Sequence, residues 1–248
     1  MKKANKKINA AIIIIGNEIL SGRTQDVNLV AISNWLNELG VKLEEVRVIP
    51  DIENHIIKTI KNVRRKFKYI FTTGGIGPTH DDITSKSLAK AFNLSYGYHK
   101  EAYEILEKYY TPEEFNDGRK KMAMLPDKAS LIFNPSSAAP GFIVENVFCL
   151  PGVPSILKSM LGGLNDKIVG GKKILSKTIN LRTVESEIAD SLEKFQNKFK
   201  NVEIGSYPSF KKGKIGVSIV IRSTEKDLIL DSYKDIKNFT KKKKISHI

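Results

Sequence analysis

Residues 69–92 read YIFTTGGIGPTHDDITSKSLAKAF, and the fold follows from them. Tyr69, Ile70 and Phe71 are apolar and favour a buried strand, which Thr72 and Thr73 close with two hydroxyls. Gly74, Gly75 and Gly77 then allow positive φ and a close approach of backbone to a ligand. Pro78 stiffens the turn. Thr79-His80-Asp81-Asp82 is an acidic loop, and Thr84 or an aspartate is placed to cap the helix that carries Leu88, Ala91 and Phe92. A glycine loop feeding a helix start suits phosphate, because free N–H groups and the helix dipole converge there. Two adjacent aspartates repel bare phosphate, and they make sense if a divalent cation sits between carboxylate and phosphate oxygens. The plainer alternative is a tight strand-to-helix turn with an Asp cap. His80 is either a metal ligand or base, or a loop hydrogen-bonder.

Upstream, residues 10–15 form a continuous, mostly isoleucine run, as expected of a strand buried on both faces. It ends at Gly16-Asn17-Glu18, which places Glu18 near a strand's C-terminal end, where open parallel sheets put ligands. Asp26 can cap a helix in which Leu29, Ile32, Leu36 and Leu39 recur, and Gly40 stops it. Asn28, on its first turn, is a surface polar residue or a ligand contact. Residues 41–49 are a second strand, Pro50-Asp51 turns the chain, and residues 52–66 are a helix. The order β-α-β-α-β-α argues for a layered, mostly parallel sheet with right-handed crossovers.

Downstream, residues 98–109 and 115–123 read as helices, and this segment exposes Tyr109, Tyr110 and Phe115. Short strands follow at 131–133, 142–144 and 147–150, separated by Asn134-Pro135 and Ala139-Pro140-Gly141. Pro151-Gly152-Val153-Pro154 turns into a helix, and Gly152 is either a simple turn residue or a point of close approach. Gly162-Gly163 through Gly170-Gly171 reads as a linker. Beyond it the order is β-α-β-β-α, with Ile215, Val217, Ile219 and Ile221 on one strand face. The expected domains are residues 8–168 and 172–244.

A chain of 248 residues holds one large domain or two smaller ones. With 41% hydrophobic and 27% charged residues it has an ordinary globular composition. No apolar run approaches the ~20 residues of a membrane span, and the basic start MKKANKKINA leads straight into the first strand, unlike a signal peptide. The single Cys149 lies in an apolar run and reads as a core thiol. A cytoplasmic protein is expected. The net charge of +14 comes largely from scattered lysines without an arginine patch interleaved with aromatics, which argues against a nucleic-acid platform.

Four stretches together resemble the molybdopterin-binding (MoaB/Mog-like) family, and within it the N-terminal part of CinA. They are residues 72–84, Gly16-Asn17-Glu18-Ile19-Leu20-Ser21-Gly22, Asn134-Pro135 with Ala139-Pro140-Gly141, and Leu150-Pro151-Gly152-Val153-Pro154. The resemblance implies a three-layer α-β-α fold with a mostly parallel sheet, plus a small KH-like α+β domain. Ile204-Gly205-Ser206-Tyr207-Pro208 is similar to the matching segment of eukaryotic FAD synthase. The resemblance also implies a nucleotide or pterin site formed by Gly16, Asn28, Thr72, Thr73, Gly74, Gly75, Gly77, Thr84, Asn134, Pro135, Gly141, Pro151 and Gly152. In that site Asp82, Asp81 and Glu18 would act, and Asp82 and Asp81 would hold a divalent cation (Mg, Mn or Co).

Mog-like members adenylylate molybdopterin and carry an arginine before the key aspartate. Asp81 stands there in this chain, as in CinA-like members, which are linked to hydrolysis of ADP-ribose, or of FAD in the synthase relatives. The expectation is a metal-dependent dinucleotide pyrophosphatase, and the alternatives are a non-catalytic pterin or nucleotide module, or adenylylation. No glycine clamp lies in the small module, so RNA binding there is not expected. The amidohydrolase domain of CinA is not expected, since the chain ends at Ile248. A homo-oligomer, a dimer before a trimer, is expected from the family.

Overall fold

The computed structural model describes residues 8–211 and 214–248. The chain divides into two compact units, one ending at Gly171 and the other beginning at Lys172.

The first unit is built on β1 (Asn9–Ile15), with the short helix α1 (Asn17–Leu20) at its end. Then come α2 (Asn28–Glu38), β2 (Lys42–Ile49), α3 (Glu53–Val63), β3 (Tyr69–Thr73) and α4 (Thr84–Phe92). Next are β4 (Tyr96–Tyr98), α5 (Lys100–Tyr109), α6 (Asp117–Lys121) and β5 (Met124–Pro126). The unit finishes with β6 (Ser130–Ile132), β7 (Gly141–Val144), β8 (Val147–Leu150) and α7 (Pro154–Leu161). The six-stranded sheet runs β2-β1-β3-β8-β7-β6. It is parallel from β2 to β8 and antiparallel at β7 and β6.

The isoleucine run of β1 has no polar face because each face meets helices. Ala11, Ile13 and Ile15 pack with Ile56 and Ile60 of α3 and Leu88 of α4. Ala10, Ile12 and Ile14 pack with Ile32 and Leu36 of α2 and Leu157 of α7. This is the expected three-layer arrangement. Phe71 of β3 is fully buried and contacts Trp35 and Phe148 at centroid distances of 5.6 and 5.1 Å. Truncating such a ring costs about 3–5 kcal/mol.

The second unit holds β9 (Leu175–Leu181), α8 (Glu185–Lys198), β10 (Glu203–Lys211), β11 (Lys214–Ser223) and α9 (Lys226–Lys242). Its antiparallel sheet runs β10-β11-β9, with Val217, Ile219 and Ile221 buried against Ile188, Ile229 and Ile236. The last residues continue it: Leu181 bridges His247, and the Ile248 N–H donates to the Asn180 carbonyl. Among the described residues, no helix is long and apolar enough to cross a membrane.

Four expectations need correction. The glycine-flanked stretch 162–171 is not a free linker. Gly162–Lys167 is a 3-10 helix with Leu164 buried, and the Gly171 N–H donates to the Leu39 carbonyl. Residues 115–123 are helical only over α6, because Tyr98 and Met124 pair as β4 and β5 and draw the chain into a strand. Phe115 is buried against Tyr103, and Tyr110 lies under the Arg119 guanidinium, which leaves Tyr109 exposed. Finally, neither Thr84 nor an aspartate caps α4, since Asp82 and Thr84 are bonded elsewhere.

Candidate functional site

The strand order creates the site. The chain steps from β1 to β2 on one side and to β3 on the other, so the connections leave the β1 and β3 ends in opposite directions and open a crevice. Gly16 continues β1 by donating to the Ile49 carbonyl, and Gly74 continues β3 by donating to the Leu150 carbonyl.

Two glycines hold the loop after β3. Gly74 has φ 98° and Gly75 has φ 70°. A Cβ on Gly74 would lie 2.2 Å from the Ile15 carbonyl oxygen, and one on Gly75 would lie 2.1 Å from Thr84 Oγ1. Thr84 closes the loop: its hydroxyl donates to the Gly74 carbonyl at 3.0 Å and its N–H to the Gly75 carbonyl at 2.9 Å. Among the described residues, the N–H groups of Gly75, Ile76 and Gly77 have no acceptor.

The acidic loop is folded on Thr79. Asp82 Oδ2 accepts from the Thr79 N–H at 2.8 Å and from its hydroxyl at 2.6 Å. Asp81 Oδ1 lies 2.6 Å from the same hydroxyl. That hydroxyl holds Asp81 below the ordinary carboxylate value, helped by a backbone hydrogen bond and by the charges of His80 and Lys121. Lys121, from the end of α6, donates to the Thr79 carbonyl.

The crevice is a cleft of about 420 Å³. Glu18 and Asp51 lie on one wall, residues 74–79 with Asp81 and Asp82 on another. Met122, Asn134, Ser137, Ala139 and Pro140, with Pro151, Gly152 and Val153, complete it. No Lys, Arg or His is among the described lining residues.

Asp51 went unrecognised in the sequence. Its carboxyl is raised above the ordinary value by burial, with the charges of Glu18 and Asp81 adding to the effect and the Asn17 N–H, 2.8 Å away, opposing it. The signal was its place: it follows the C-terminal end of β2, just as Glu18 follows β1.

The remaining expected site residues divide. Thr73 and Asn28 line a smaller recess that also borders Gly74 and Gly152. Asn134 borders the main cleft, but its side chain is committed to Ser136, Ser137 and Ala139 and shapes its own loop. Gly16, Thr72, Thr84, Pro135 and Gly141 line neither cavity. Thr72 is buried beside Cys149, and Gly141 lets β7 approach β8, since a Cβ there would lie 2.5 Å from the Cys149 carbonyl oxygen. Burial pushes the Cys149 thiol up to about 12, with the Thr72 hydroxyl pulling the other way. His80 is exposed and does not border the cleft.

Among the described residues, no three His, Cys, Asp or Glu side chains converge on one point. The donor set fits a hard cation held by one or two carboxylates and completed by phosphate oxygens and water, the usual habit of Mg²⁺.

Comparison with known proteins agrees with this architecture. Residues 11–169 match the family described as a probable molybdopterin binding domain, and residues 173–247 match the FAD synthase middle domain. A protein of Archaeoglobus fulgidus is 34% identical over 215 residues, covering 87% of this chain and 91% of its own. One of Pyrococcus abyssi is 34% identical over 218 residues, covering 81% and 85%. The crystal structure of CinA from Thermoplasma acidophilum superposes with a TM-score of 0.61 at 30% identity, over 64% of this chain and 97% of that one. The chain thus belongs to the molybdopterin-binding domain family, as a CinA-like member whose C-terminal unit matches the middle domain of FAD synthase.

Proposed function

We propose that the cleft binds a dinucleotide such as ADP-ribose or FAD and hydrolyses its phosphoanhydride with the help of a divalent cation. The observation that carries this reading is the charge of the walls: Glu18, Asp51, Asp81 and Asp82 line the cleft with no basic side chain among them. A pyrophosphate there would face four carboxylates and gain only backbone N–H groups. Such a ligand is held if a cation neutralises part of the charge, and the same arrangement polarises the phosphoanhydride.

In this reading the N–H groups of Gly75, Ile76 and Gly77 receive a phosphate oxygen and stabilise the charge that develops on it. Asp82 and Asp81 would hold the cation, which would supply Lewis-acid polarisation when bound. Glu18 or Asp51, from the facing wall, accepts the proton of the attacking water. Asp51 suits that role, because burial raises its carboxyl toward the working pH. Water adds to one phosphorus, the bond from that phosphorus to the bridging oxygen breaks with both electrons going to the oxygen, and two phosphomonoesters result. The match of the second unit to the FAD synthase middle domain makes FAD a natural test substrate.

The test is product release from ADP-ribose, FAD and related dinucleotides with Mg²⁺, Mn²⁺ or Co²⁺, compared with chelator. Cation-dependent release of two monophosphates supports the proposal. Tight binding with no turnover under any of the three ions would leave a binding module in its place.

A further inference from the structure

A recess of about 70 Å³ opens beside the main cleft and shares Ile15, Glu18, Gly74 and Gly152 with it. Ile14, Ile19 and Val27 form its apolar side, and Asn28 lines it from the first turn of α2. Asn28 is 3% exposed, and its Nδ2 donates to the Gly152 carbonyl at 2.7 Å. A carbonyl only accepts, which settles the orientation of the amide. The other atom, Oδ1, is buried and has no partner. The carboxylate of Asp26, which also lines the recess, does not offer one, since a carboxylate only accepts, here from the Leu29 N–H at 2.8 Å. A buried acceptor left unmatched is costly, so the recess is built for a donor.

We propose that the recess receives the exocyclic amino group of the ligand's heterocycle while the phosphates lie at the glycine loop. Two residues with acceptor groups line it, Asn28 and Glu18, and a ring amino group carries two hydrogens where a hydroxyl carries one. The recess admits the edge of a ring, and the ring itself stays in the larger cleft. The apolar side suits a neutral planar group. This rests on the nucleotide reading above and makes it specific: bases with an amino group at that edge are accepted, and those with a carbonyl there set two acceptors against each other.

The test compares binding of ADP-ribose with that of its hypoxanthine counterpart, by calorimetry with Mg²⁺ present. Wild type should prefer ADP-ribose by at least about 10-fold, the factor of one well-made hydrogen bond. Asn28→Asp keeps an acceptor in the recess and should keep the preference, although it loses the bond to Gly152. Asn28→Leu, with Glu18 still there to accept, should lose at least about threefold of that preference. A merely structural role for Asn28 would weaken both ligands equally and leave the ratio unchanged. Equal binding of both ligands by wild type, or an unchanged preference in Asn28→Leu, overturns the recess assignment and leaves the phosphate reading standing. Failure of wild type to bind either ligand overturns both.

Discussion

Asp82 and Thr79 are joined twice: one carboxylate oxygen of Asp82 accepts both the backbone N–H of Thr79, at 2.8 Å, and its hydroxyl, at 2.6 Å. The acidic loop is therefore shaped by its own side chains, and one Asp82 oxygen is spent on that shape.

The two positive-φ glycines should respond differently to alanine. Gly74→Ala drives a methyl group into the backbone carbonyl of Ile15, which cannot move without moving β1. Its cost should exceed the ~1–2 kcal/mol of a left-handed alanine alone. Gly75→Ala meets the Thr84 hydroxyl, so the crowding falls on a side chain rather than on an incoming phosphate. Adding Thr84→Ala should recover part of the loss in Gly75→Ala and none in Gly74→Ala. Urea unfolding of the four variants checks this.

Asp51 carries a pH signature. Its folded-state value is raised, so the ionised form is disfavoured on folding. The cost is absent below the ordinary carboxylate value, grows as pH rises through the raised one, and is fully present at neutral pH. Asp51→Asn keeps an oxygen for the Asn17 N–H and removes the charge. It should raise the melting temperature at pH 7, and the gain should fade on acidification through that window. Hydrolysis should fall in the same variant. A lower melting temperature at pH 7 would contradict the electrostatic account.

Cys149 should be inert. Burial holds its thiol near 12, so almost no thiolate exists at neutral pH. An aromatic disulfide reagent should label it only as fast as the protein unfolds, with urea accelerating labelling and unfolding in parallel. Rapid labelling of the native protein would show the strand to be open.

Much of this was legible in the sequence because the signals are local. The run Ala10–Ile15 has no polar face, and only a two-sided sheet explains that. Gly74-Gly75 followed by Asp81-Asp82 marks a tight acidic loop between a strand and a helix, which is where β3 gives way to α4. What stayed hidden depends on partners distant in sequence. Tyr96–Tyr98 becomes a strand only because Met124–Pro126 lies beside it, and three residues carry no periodicity. The stretch 162–171 has a linker's glycines, yet it is ordered by Leu164 in the core and by the Leu39 carbonyl. Asp51 looked like a turn residue until β2 was placed next to β1.

The central claim is that Asp82 holds a cation against a phosphoanhydride. The direct measurement is the rate of ADP-ribose or FAD cleavage against divalent-cation concentration, for wild type and Asp82→Asn, with the melting temperature of each. The substitution keeps the shape and an acceptor for Thr79 while removing one charge. Half-saturation should move to higher cation concentration, and the rate should fall by on the order of 10² to 10⁴. Stability should change by no more than about 1–2 kcal/mol, the range of a lost loop cap. A wild-type rate in Asp82→Asn at limiting cation would contradict the account.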